Sequence, residues 1–224
     1  MPLETESLTT ARRLGQNAAE RLTAIASAGY LRVGVPIDLG GHGGTLQDLF
    51  QDPAARQWLR DLPYPDQLLF RSQRLVVEAL LRSDNVGLRE LVLPELLDGA
   101  MGGASAMECS CLTAMPADLG WRLNGRLVGV PNLQWAGFYL LLPVQMNDRV
   151  DDLLLVRSEE NDVTVQAGDP HELWQQAACG TVSFRQVFLR ADEWLGDRPL
   201  WQTLADANRA LQQGLSAALS RSTN

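Results

Sequence analysis

Few side chains in this sequence have the type and spacing to do chemistry. Cys109 and Cys111 form a C-x-C pair, with Cys179 far away, and the chain's only histidines are His42 and His171. A tetrahedral metal site needs four such ligands close together, so free, half-buried thiols in a reducing compartment are expected instead of a metal centre. The run Gly40-Gly-His-Gly-Gly44 invites comparison with a phosphate-cradling loop, but it lacks the following Lys-Ser/Thr and the dinucleotide-binding spacing. A structural turn is the expected role. The adjacent carboxylates Asp151-Asp152 and Glu159-Glu160 are paired as acid–base groups are, yet both flank strand-like segments and read as solvated turns. Trp58, Trp121, Trp135, Trp174, Trp194 and Trp201 lie apart from any basic cluster, so core packing is expected of them rather than base stacking.

The totals narrow the classes further. A chain of 224 residues, 46% apolar and 21% charged, has ample material for a packed core in one large domain or two modest ones. Its net charge of −8, without a run of Lys or Arg, argues against nucleic-acid and anionic-membrane partners. The acidic start and the short longest apolar run, Phe138 to Leu142, predict neither a signal peptide nor a membrane span, and a cytoplasmic location is expected.

Periodicity supplies the elements that must position these groups. Leu8, Ala11, Leu14, Ala18, Leu22 and Ile25 recur at helical steps, with Gly29 as a stop. Tyr30 to Pro36 reads as a short extended piece, and Gln47 to Arg60 as helix broken at Pro53. Leu62 to Pro65 reads as a turn, and the stripe from Leu68 to Leu80 as a second long helix. Asp84-Asn85 is a cap for a further helix reaching Leu97, with Asp98-Gly99 ending it. From about Met101 the period shortens to two. Residues 121–130, 137–144, 153–156, 163–166 and 181–189 read as strands, and Asn124-Gly125 as a hairpin turn. A last helix runs from Leu200 to Leu219, with an apolar stripe at Leu204, Ala207, Leu211, Leu215, Ala218 and Leu219. Helices first and strands second predict an α+β fold.

Three segments carry a resemblance. They are Val33-Gly-Val-Pro-Ile-Asp-Leu-Gly-Gly41, Trp121-Arg-Leu-Asn-Gly125 and the stretch from Gly180-Thr-Val-Ser-Phe to Trp194-Leu-Gly196. Together they resemble the acyl-CoA dehydrogenase family, in which a Val-Pro turn, an Asn-Gly segment and a Phe-x-x-Val strand follow in this order. The resemblance implies an N-terminal helical domain over residues 1–100, a middle β-barrel-like domain over 101–196, and the first helix of a C-terminal bundle over 197–224. It also implies FAD as cofactor. The family's flavin-contacting Thr-Glu-Pro-Gly segment falls on Met107 and Glu108, with the Pro-Gly loop deleted. Its Trp-Ile-Thr-Asn segment falls on Gly129, Val130, Pro131 and Asn132. Gly129 thus replaces an aromatic wall, and Pro131 replaces a hydroxyl and a backbone donor.

The family's catalytic carboxylate belongs to the C-terminal bundle and has no counterpart by motif here, so the resemblance implies a truncated relative in which FAD binding is weak or lost. Three readings stay open. One is a binding or partner subunit, associating as a homo-oligomer or with a full-length acyl-CoA dehydrogenase homologue. Another is a genuine FAD-dependent oxidoreductase acting on CH–CH bonds, completed by another chain. The third is a shortened product with no function of its own. The final helix, whose stripe has no neighbour in sequence, is expected to mediate association.

Overall fold

The computed structural model describes residues 17–109, 112–146, 149–168 and 175–219. Leu8, Ala11, Leu14, Cys111, His171 and Trp174 lie outside these, as do the side chains of Asp151, Ala218 and Leu219. Helices come first: α1 (residues 17–27), α2 (Asp48–Gln51), α3 (Pro53–Asp61), α4 (Tyr64–Arg82) and α5 (Val86–Leu97). Eight strands follow: β1 (Gly102–Ser105), β2 (Leu112–Ala117), β3 (Gly120–Val130), β4 (Phe138–Met146), β5 (Arg149–Arg157), β6 (Val163–Ala167), β7 (Gly180–Arg190) and β8 (Trp194–Gly196). A long helix, α6 (Arg198–Leu219), closes the described chain. The α+β class expected from periodicity is the observed one.

Local chemistry explains most boundaries. Asp52 caps α3, accepting from the Ala54 and Ala55 amides at 3.2 and 3.1 Å, so Pro53 starts a helix instead of breaking one. Asn85 Oδ1 takes the Leu88 amide at 3.0 Å to begin α5, and Gly99 at φ 68° ends it. The piece from Tyr30 is not extended. It turns through two 3-10 segments, Tyr30–Arg32 and Ile37–Leu39, and Gly41 seats against the Val35 carbonyl so closely that a Cβ would stand 2.0 Å from its oxygen. That fixes the glycine run as a folded turn, its expected role.

The sheet is mixed. Its hydrogen-bonded order is β6-β7-β3-β2-β4-β5-β8, with β1 added parallel to β4. The expected barrel is not closed, because β6 and β8 stand at opposite ends of that order. β4 is buried on both faces, which accounts for its uninterrupted apolar run. Along β4 and β5 the pleat sends alternate residues to two cores. Tyr139, Leu141, Leu153 and Leu155 join the helices, while Leu140, Leu142, Leu154 and Val156 meet Leu123, Leu127, Val182 and Leu189 across the sheet.

The hairpin expected at Asn124-Gly125 is absent. β2 and β3 turn instead at Asp118-Leu119, with Leu119 at φ 64°, and β3 runs straight through Asn124. There the β3–β7 register shifts in a bulge: Gly125 has φ 139°, Gln186 has φ 55°, and Asn124 Oδ1 accepts the Gln186 amide at 2.9 Å. An Asn-Gly pair serves a bulge as well as a turn, because both need positive φ. Asp152 is a second correction. It is fully buried in β5 and accepts the Trp194 indole N–H at 3.1 Å, so it is no solvated turn residue.

Glu193, buried just before β8, accepts the Arg190 amide at 2.6 Å. Burial pushes its carboxyl up to about 7 from an ordinary 4.5. The Arg190 amide offsets part of that shift, and the nearby Glu160 charge adds to it. The folded chain therefore holds this proton to higher pH than the unfolded chain. Its stabilisation is complete below the unfolded value and is lost as pH rises through about 7. Glu193→Gln should flatten the fall in melting temperature across that window, and an unchanged slope in pH-resolved melts would reject the assignment.

Candidate functional site

The two segments aligned with flavin contacts come together in space. The Cys109 thiol donates to the Val128 carbonyl at 3.7 Å, joining the stretch after β1 to the end of β3. Behind them, Asn132 Nδ2 donates to Gln73 Oε1 at 2.7 Å and to the Gly103 carbonyl at 3.1 Å. Gln73 in turn donates to the Leu96 and Met101 carbonyls at 2.8 and 3.1 Å and accepts the Gly103 amide at 2.5 Å. Gln134 Nε2 completes the network on Asn132 Oδ1 at 2.8 Å. Buried amides that satisfy one another in this way tie α4, the end of α5, β1 and the segment after β3 into one body. Gly102 and Gly103 leave the room this needs, since a Cβ on Gly102 would fall 2.5 Å from the Asn132 carbonyl oxygen.

Each candidate residue has a definite place. Met107 is half-buried against the helical core. Val130 is fully buried between β3 and β7, opposite Gly180, so its side chain belongs to the sheet core. Pro131 is half-buried. Gly129 has φ 75° and opens on empty space, with no atom within 4 Å of where a Cβ would stand. A tryptophan there would be strained, which fits glycine at this position. Its neighbour Val128 is 68% exposed, and Trp135, in the loop before β4, is 65% exposed.

Glu108 differs from the others. Its Oε1 accepts from the Arg71 guanidinium of α4 and from the Gln212 amide of α6, and lies 3.4 Å from Asn208 Nδ2. Burial alone pushes the carboxyl up. The hydrogen bond and charge of Arg71, helped by Asn208 and Gln212, outweigh that and hold it below the ordinary carboxylate value. A carboxylate so committed is a poor proton acceptor. Burial also raises both described thiols, Cys109 with help from the Glu108 charge and Cys179 up to about 12, which makes them unreactive at neutral pH.

Arg71, Gln73, Asn208 and Gln212 were not among the sequence-derived candidates. Gln73 carried a signal, as a polar residue inside the apolar stretch of α4. The pairing of Arg71 with Asn208 crosses 137 positions and left none. A concavity of about 260 Å³ lies elsewhere, at the β3–β7 bulge, lined by Arg122, Gln186, Phe188, Arg190 and the turn carrying Glu160 and Asp162. It includes none of the flavin-aligned positions.

No protein-family model matches the sequence, and no curated protein matches it either. Solved structures do match in shape. An FAD-dependent dehydrogenase superposes with a TM-score of 0.74 at 16% identity, over 93% of this chain and 64% of its own. An acyl-CoA dehydrogenase complexed with FAD from Bacillus anthracis gives 0.73 at 14% identity, over 98% and 41%. The prolyl acyl carrier protein oxidase AnaB gives 0.74 at 13%, over 95% and 65%. The fold is that of the acyl-CoA dehydrogenases. At these identities the likeness fixes the fold and nothing finer, and the chain spans 41–65% of the length of these three acyl-CoA dehydrogenase-fold chains. Among the described residues no helix is long and apolar enough to cross a membrane.

Proposed function

We propose that this chain is an acyl-CoA dehydrogenase-like protein of the flavin-dependent CH–CH oxidoreductase lineage that acts as a binding or partner subunit and does not catalyse alone. The observation that carries the reading is the state of the flavin-aligned positions. Gly129 supplies no wall, Val130 is spent on the sheet core, Pro131 has no N–H to give, and Glu108 is committed to Arg71 and Gln212. A flavin site is apolar walls plus a few placed hydrogen bonds. At about 1–3 kcal/mol for each unmade bond, and tenfold in affinity per 1.4 kcal/mol, these losses move FAD binding out of the useful range. Glu108, paired and acidic, does not serve as a catalytic base.

On this reading residues 1–100 form the helical domain, 101–196 the β-rich middle domain, and 197–224 a helix of a C-terminal bundle. The protein works in the cytoplasm as a homo-oligomer or beside a full-length acyl-CoA dehydrogenase homologue. Val128 and Trp135 are each exposed apolar side chains that such a partner could cover. The open space over Gly129 favours the second reading, an FAD-dependent oxidoreductase whose site is completed by another chain.

Titrating FAD into the isolated protein, and following flavin fluorescence, tests the first reading. The expected result is no saturable quenching and a colourless protein. Binding at about 1 µM or tighter would overturn the first reading.

A further inference from the structure

The contact between Glu108 and the helices has the construction of an occupied binding site. Asn208 and Gln212 stand one turn apart on the same face of α6, and Arg71 faces them from α4. Arg71 Nε donates to Asn208 Oδ1 at 3.1 Å. That bond orients the Asn208 amide so that its Nδ2 and the Arg71 Nη2 point to one spot, where Gln212 Nε2 also arrives. Arg71 and Asn208 are therefore paired between the helices independently of what they hold.

What they hold is a single oxygen, Glu108 Oε1, while Oε2 accepts no hydrogen bond among the described residues. The Glu108 side chain is 54% exposed, against 19% for Arg71, and it belongs to the turn after β1 instead of to either helix. Three convergent donors, one of them a guanidinium, are what a carboxylate or similar oxyanion requires. An exposed side chain on a turn leaves such a site more easily than a residue locked in a helix.

We propose that Arg71, Asn208 and Gln212 form an oxyanion cradle between α4 and α6, and that Glu108 is its built-in, displaceable occupant. The cradle takes small carboxylates, and Glu108 closes it to them by occupying it. This holds whether or not the chain binds flavin.

The test is chemical rescue. Glu108→Ala is titrated with sodium acetate, with sodium chloride at matched ionic strength as the control, and the melting temperature is followed. Acetate should raise the melting temperature of the variant saturably, with half-effect on the order of 10 mM, as suits a small charge-assisted site open to water. Chloride should not, and the wild type should respond far less. The double variant Arg71→Ala/Glu108→Ala should lose the response. Should Glu108→Ala not fold, Glu108→Ser, whose short side chain also empties the cradle, takes its place in the same titration. An acetate effect no larger than that of chloride, or an equal effect in the double variant, overturns the proposal. Neither outcome depends on FAD, so a failure here leaves the flavin titration independent.

Discussion

Replacing Glu78 with alanine should cost about 3–5 kcal/mol of folding stability, because it strands a buried guanidinium. Arg74 and Glu78 sit one turn apart on α4 with side chains 0% and 2% exposed, joined at 2.5 Å. Arg74 also donates to the Leu31 carbonyl at 2.6 Å, which pins the 3-10 turn at Tyr30–Arg32 to the long helix. Arg82 reaches the other Glu78 oxygen from the next turn, so one carboxylate balances two cations. Burial, and then the neighbouring Arg82, pull the Arg74 pKa down to about 9, which still leaves it charged at neutral pH. Removing the carboxylate leaves that charge with one carbonyl and a like charge nearby. Paired replacement of Arg74 and Glu78 by Met and Leu should restore much of the loss, since shape-matched apolar residues need no compensation. Urea denaturation of the single and double variants gives both numbers. A single variant within about 1 kcal/mol of wild type would mean that the pair is not buried as described.

The sequence made the local features of this fold readable. α5 could be bounded from its Asn85 cap and Gly99 stop because capping chemistry acts within four residues. The strands from β3 to β7 announced themselves by β-branched and aromatic residues between Gly, Pro, Asn and Asp breaks, apart from the ends that tertiary contacts extend. β1 was not legible, because Gly-Gly-Ala-Ser has no strand preference. Its place is set by Gln73 and Asn132, which need glycine beside them. Asn124-Gly125 misled for a related reason. The pair satisfies a bulge and a turn equally, and the choice was made by β7, some 60 residues later.

The site was legible only in part. Motif alignment placed the family's flavin contacts on Met107, Glu108 and Gly129 to Pro131, and the fold brings their segments together through Cys109 and Val128. It could not reveal that Val130 would be consumed by the core or that Glu108 would be held from two helices. Those facts depend on partners up to 104 positions away, and no local pattern encodes them. Asp152 was missed because paired acidic residues usually mark solvated turns. Here the pleat takes Asp152 inward to meet the Trp194 indole.

The last helix is where sequence and structure differ most, and it sets the final prediction. On sequence grounds the stripe of α6 lacked a partner, which made an intermolecular interface its expected role. In the structure Leu204 and Leu211 are fully buried and Leu215 nearly so, in the same core as α3, α4 and the inner faces of β4 and β5. The chain covers its own stripe. Gly214 shows how close the fit is, since a Cβ there would stand 2.3 Å from the Phe50 ring. Leu211→Ala should therefore destabilise the protein by about 2–5 kcal/mol, through lost burial and the cavity left behind. For a chain of this size that lowers the melting temperature by on the order of 10 °C. Leu211→Glu should abolish cooperative unfolding, because it adds an unpaired buried carboxylate to the same loss. Circular dichroism melts with light scattering decide the matter. A Leu211→Glu variant that melts like wild type while its mass falls would return α6 to the role of an interface. Loss of the folded state would establish α6 as the third wall of the helical core, and any partner of this chain must then bind another surface.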